Sequence, residues 1–146
     1  MDELIHQMKV ALASTFAFYL KAHSFHWNIE GPDFMQYHSL FERIYVDSWN
    51  AVDGLAEHIR VLDSYVPGTF SRFSELSLIE EQLNIPTPMK MINEIELDTR
   101  KVMGSLIAAE KLASDHGQMG LTNYLQDRID THSKQGWMLK ATLKAI

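Results

Sequence analysis

The residues that interrupt helices gather in four places: Gly31-Pro32, Pro67-Gly68, Pro86 with Pro88, and Gly117 with Gly120. This spacing constrains the chain most, because it leaves four long segments, too long for strands and suited to helices. The third has the clearest pattern. Ile92, Ile95, Thr99, Val102, Leu106, Ala109 and Ala113 recur every three or four residues, which predicts one helix face from about Ile92 to Asp115. Thr87-Pro88 supplies an N-cap and a first-turn proline ahead of it. Residues Phe34–Asp63 carry Phe41, Ile44, Tyr45, Val52, Leu55, Ile59 and Leu62 on a similar stripe. Asp2 to about Asn28 and Leu121 to about Lys144 complete four helices of roughly 24–30 residues each.

Two of the links between these segments are short. The middle one, residues 64–87, is long and contains SRFSELSLIEEQL, which predicts a short helix of its own. A long crossover between two antiparallel hairpins is the ferritin-like way of building a four-helix bundle. The expected fold is therefore all-α, and 146 residues suit one domain, 1–146, around one core.

Composition removes several function classes. No cysteine is present, so disulfides and thiolate metal sites are excluded. The N-terminal MDELIHQMKVALASTF lacks a basic leader and a long apolar run, no stretch reaches the length of a bilayer span, and the cytoplasm is the expected location. A net charge of −6, with thirteen scattered Lys and Arg, disfavours DNA as a partner.

Metal chemistry inside such a bundle needs Glu-x-x-His on two helices and a Glu from each of the others. The one Glu-x-x-His is Glu3-Leu4-Ile5-His6 at the N-terminus, so that site is not expected. The stretch HWNIEGPDFMQYH offers something else, two histidines, His26 and His38, twelve apart across Gly31-Pro32. Downstream, His38/Glu42 and Asp53/Glu57 are i, i+4 pairs that fall within roughly 20° of each other around one helix. They share a face but not an ion, since fifteen residues separate His38 from Asp53, roughly 22 Å along the axis. A second copy packed antiparallel across a point near Asp47-Ser48 brings His38 and Glu42 of one chain to Asp53 and Glu57 of the other, making two identical sites. His26 folds over the turn to join them. Two imidazoles and three carboxylates form a mixed N/O shell suited to ferrous iron, zinc or manganese. The same residues also fit a plainer reading, in which acidic i, i+4 pairs are a solvated face, Trp27, Phe34 and Tyr37 are packing, and lone histidines such as His6, His23, His58, His116 and His132 are no ligands.

The segment KAHSFHWNIEGPDFMQYHSLFE followed by DGLAE, with the C-terminal GWMLKATL, resembles the Dps mini-ferritins, the DNA-protection proteins of starved cells. The family pattern is His-Trp-Asn, a nearby Gly, a second His twelve after the first, then Asp and Glu fifteen and nineteen beyond it, and His26, His38, Asp53 and Glu57 keep every interval. The resemblance implies a homo-oligomer, a hollow dodecamer of tetrahedral symmetry. It implies oxidation of Fe(II), preferably by hydrogen peroxide, and storage of ferric oxyhydroxide, as protection from oxidative stress. It takes iron to lie at the two-fold interface, with His26, His38 and Glu42 from one subunit and Asp53 and Glu57 from its mate, and gives Trp27 the place of a tryptophan that intercepts stray radical. Three departures stand out. Glu42 replaces a common Asp, GQMGLTNYLQDRID has no acid before Asp127 where the family lines its iron pores, and the Lys-rich tail with which some members bind DNA is missing. The competing readings are a nucleoid-binding protein, which the charge disfavours, and a shell without ferroxidase activity, which the filled ligand positions disfavour.

Overall fold

The computed structural model describes residues 1–144. It contains α1 (Asp2–Asn28), α2 (Phe34–Val61), α3 (Phe70–Leu76), α4 (Pro88–Asp115) and α5 (Met119–Leu143), with no strand among the described residues. The helices pack as two hairpins, α1 with α2 and α4 with α5, joined through α1 against α4.

The ends follow from local chemistry. Gly31 has φ +124°, a conformation open to glycine, and its carbonyl accepts from Phe34 N–H as the chain reverses into α2. After α4, Gly117 at φ +68° makes a Schellman cap, in which Gln118 N–H donates to Ala113 O (2.9 Å) and Gly117 N–H to Ser114 O (3.0 Å). Helix α2 stops at Val61, two residues before the expected Asp63, which itself takes the left-handed conformation at φ 63°. Thr87 and Pro88 occupy the cap and first position of α4, although the Thr87 side chain makes no capping bond.

Only the seven residues of α3 are helical in the crossover. Thr69 Oγ1 accepts from Arg72 N–H to start α3, which ends at Leu76, so LIEEQL does not continue it. The reason is that its backbone is engaged elsewhere. Leu78 N–H donates to Ser14 Oγ (3.1 Å), Ile79 N–H to Ser77 Oγ, and Glu80 O accepts from Lys21 Nζ, so this stretch is strapped along α1.

All seven members of the α4 stripe are buried. On α2, Phe41, Ile44, Leu55 and Ile59 are buried while Tyr45 and Val52, and Leu62 just past its end, are half-buried, and the small Ser48 and Ala51 complete the inner face. Each fully buried Leu, Ile or Phe contributes about 1.5–3 kcal/mol relative to exposure, so these two stripes fix which way both helices turn. One layer of the core is polar. Arg128 donates to both oxygens of Asp47 (3.0 and 2.9 Å), Gln135 Nε2 donates to Asp47 Oδ2 (3.1 Å), and Arg128 donates to His132 Nε2 (3.1 Å). This arginine-centred layer links α5 to α2 without gathering the carboxylates an internal two-metal site needs.

Candidate metal centre

His26 and His38 are brought together by the α1–α2 turn in an unusually constrained way. His26 Nδ1 donates to His38 O at 2.7 Å, and His38 Nδ1 donates to His26 O at 2.7 Å. A carbonyl oxygen only accepts, so both Nδ1 atoms carry hydrogen and each neutral ring keeps its lone pair on Nε2. The rings lie nearly parallel, 3.6 Å apart at 16°, with Phe34 stacked on the far side of His38 at 4.7 Å. His26 is buried and His38 half-buried. Orientation and tautomer are thus set by the backbone of the opposite helix, the support that metal-ligating imidazoles need.

The three predicted carboxylates are exposed on α2. Counting 100° per residue, His38, Glu42, Val46, Trp49, Asp53 and Glu57 fall within an arc of roughly 100°. The order along that arc is symmetric about a point between Asp47 and Ser48, with 38 matching 57, 42 matching 53, and 46 matching 49. Asp53 and Glu57 stand one turn apart on this face, and a hydrogen bond with Asp53, and then its charge, push the Glu57 carboxyl above its ordinary range. Two acids pressed together on a surface are relieved by a cation. Between the histidine end and the acidic end lie Val46 and Trp49, 42% and 54% exposed. Within one chain the halves stay apart, and no group of three or more His, Asp or Glu among the described residues could hold a metal ion.

Other predicted and unpredicted residues fall around this centre. Trp27 is 59% exposed and lies 3.9 Å from the ring of His23. His23 itself is sandwiched in an aromatic stack, parallel to Tyr45 at 3.7 Å, with Tyr19 hydroxyl 2.9 Å from its Nδ1. Burial, and then the charge of His26, lower its pKa. Sequence reasoning set His23 among the non-ligand histidines and Tyr45 on the apolar stripe of α2, and passed over Tyr19 and Trp49; the i, i+4 spacings of Tyr19, His23 and Trp27 and of Tyr45 and Trp49 were the available signal. The remaining histidines have other surroundings. His6 is exposed, His58 packs on Tyr124, His116 Nε2 meets the N-terminal amine at 3.2 Å, and His132 is buried. No described helix is long and apolar enough to cross a membrane.

Residues 5–146 match the ferritin-like domain family. Antigen TpF1 of Treponema pallidum is 29% identical over 143 residues, which are 97% of this chain and 81% of that protein. The crystal structure of Dps from Staphylococcus aureus is similar with a TM-score of 0.95 at 25% identity, over 100% of this chain and 98% of the other. Dps from Vibrio cholerae O1, described as a member of a broad superfamily of ferritin-like diiron-carboxylate proteins, gives 0.93 at 28% identity, over 98% and 90%. The chain belongs to the ferritin-like domain family and, within it, to the Dps family.

Proposed function

We propose that this chain is the subunit of a closed dodecameric cage that oxidises Fe(II), preferably with hydrogen peroxide, and stores the ferric product inside. The observation that carries the reading is the symmetric face of α2, with two tautomer-fixed imidazoles at one end, an acidic pair at the other, and exposed Val46 and Trp49 between them. An isologous antiparallel pairing about Asp47-Ser48 sets Val46 against the partner helix's Trp49 position and Glu42 against its Asp53 position, and so completes a site at each end. His26, His38 and Glu42 would bind iron from one side, Asp53 and Glu57 from the other. Each of two ferrous ions loses one electron, and peroxide takes both as its O–O bond breaks to two hydroxide ions, without release of hydroxyl radical. The N/O donors suit iron in both oxidation states. Trp27, exposed beside this centre, is placed to intercept an oxidant that escapes the paired reaction. Beyond the two-fold, exposed Trp137 on α5 gives a second apolar patch for further copies.

The test is anaerobic loading with Fe(II) followed by peroxide, with ferric absorbance and peroxide consumption followed together. Two ferrous ions should be consumed per peroxide, and His38→Ala and Asp53→Ala should each lose the rapid phase while sizing as the wild-type particle. Rapid oxidation persisting in both variants, or a monomer at micromolar concentration, would remove the reading.

A further inference from the structure

Tyr124 of α5 lies against the turns of α2 that carry Asp53 and Glu57. Its hydroxyl donates to Ala51 O at 3.2 Å, and its ring sits 4.6 Å from that of His58. Between these two contacts is Gly54. A Cβ there would strike the Tyr124 hydroxyl oxygen and come within 2.9 Å of the ring carbon that bears it. Residues 51, 54 and 58 form one flank of the helix, immediately beside the face from which Asp53 and Glu57 project.

Gly54 is costly where it stands. In the interior of a 28-residue helix, glycine is about 1 kcal/mol less favourable than alanine. The missing methyl is what admits Tyr124, so the space has an occupant that explains it. The acids themselves have little to hold them, since both are exposed. Their position is therefore set by the backbone beneath them, and Tyr124 fixes that backbone to α5.

We propose that Tyr124, seated over Gly54, is a positioning residue that places Asp53 and Glu57 for a metal ion shared with the histidines of a partner chain. This rests on the two-chain site proposed above. Tyr124 is no ligand, because its hydroxyl donates inward to Ala51 O, and burial first of all keeps the phenol protonated. A ligand pair displaced by an ångström binds and reacts far less well, which gives such an anchor functional weight out of proportion to one hydrogen bond.

Two variants test it. Gly54→Ala expels the ring, and Tyr124→Phe keeps the ring but loses the bond to Ala51. Gly54→Ala should assemble normally, oxidise limiting Fe(II) about tenfold or more slowly, and bind Co(II), titrated alone and without oxidant, correspondingly more weakly; Tyr124→Phe should show a smaller loss in the same direction. Mixed oligomers then assign the lesion to one half of the site. Randomly reassembled with His38→Ala chains, Gly54→Ala should regain about a quarter of intact sites, since in half of the dimers both defects gather in one of two sites. Reassembled with Asp53→Ala chains it should regain none. Wild-type rates and Co(II) affinity in both variants would overturn the proposal. So would recovery with Asp53→Ala, or no recovery with His38→Ala, provided that His38→Ala and Asp53→Ala rescue each other. If those two fail to rescue each other in verified mixed oligomers, the two-chain site falls and this role falls with it. Should Gly54→Ala not assemble, Tyr124→Phe enters the same mixtures with the same outcomes.

Discussion

Acid should loosen this bundle through His132. Its ring is fully buried, edge-on to Phe18 at 5.6 Å, and accepts at Nε2 from Arg128, whose guanidinium is itself held by Asp47. Nδ1 meets no hydrogen-bond partner among the described residues. Burial above all, and then the Arg128 cation, push the imidazole down to about 4. In the unfolded chain a histidine titrates near 6.5, at about 1.36 kcal/mol per unit of difference. The folded state resists the proton, so the stabilising contribution is complete above roughly pH 6.5 and is lost as pH falls towards 4. Over the whole interval that amounts to roughly 3 kcal/mol, and between pH 7 and 4.5 to roughly 2 kcal/mol. Asp47 does not reverse the sign. Burial raises its carboxyl, but the hydrogen bond and charge of Arg128 outweigh this and hold it below its ordinary range, so it too favours the folded state less in acid. The measurement is urea unfolding by circular dichroism of wild type and His132→Leu, at one protein concentration, at pH 7 and pH 4.5. Leucine keeps apolar contact with Phe18 and leaves Arg128 paired to Asp47. Carboxylates common to both proteins cancel, and the difference should move by roughly 2 kcal/mol in favour of the variant as pH falls. A difference constant within about 0.5 kcal/mol would refute the assignment of His132 as the proton-resisting group.

Two further expectations use other parts of the molecule. With net charge −6 and its thirteen Lys and Arg scattered, this chain should not retard DNA at physiological salt in the presence of chelator, and a band that persists there would contradict the charge argument. Gly31→Ala forces a side chain onto φ +124°, which should cost about 1–2 kcal/mol and disturb both reciprocal histidine bonds at once, so Co(II) affinity should fall together with the melting temperature; unchanged affinity would separate the turn from the site.

The long helices were legible because each has a buried stripe whose period survives its neighbours. Ile92 through Ala113 is regular enough to give direction as well as existence. What escaped was whatever depends on a partner distant in sequence. Residues 78–83 carry ordinary helix formers, yet Ser14 and Lys21 of α1 bond the backbone of Leu78 and Glu80, and the stretch is not helical. The buried polar layer was equally hidden. Asp47, Arg128, His132 and Gln135 read individually as surface residues, and only the 4-3 spacing of the last three shows that one polar stripe of α5 turns inward to meet a single acid of α2.

The site shows the same division more sharply. The spacing of the proposed ligands was legible, because twelve, fifteen and nineteen residues along regular helices translate directly into angle and rise. The state of its imidazoles was not, since tautomer depends on two carbonyls that meet only once the turn is closed. The choice between a solvated acidic face and a self-pairing one also needed burial. An acidic i, i+4 pair alone suits water, but a solvated face has no reason to expose Val46 and Trp49 between two ligand sets, at positions that exchange with each other about the same centre as His38 with Glu57 and Glu42 with Asp53. A face whose apolar middle and polar ends obey one two-fold operation is complementary to a copy of itself. That symmetry, more than any single residue, is what favours a metal centre divided between two chains.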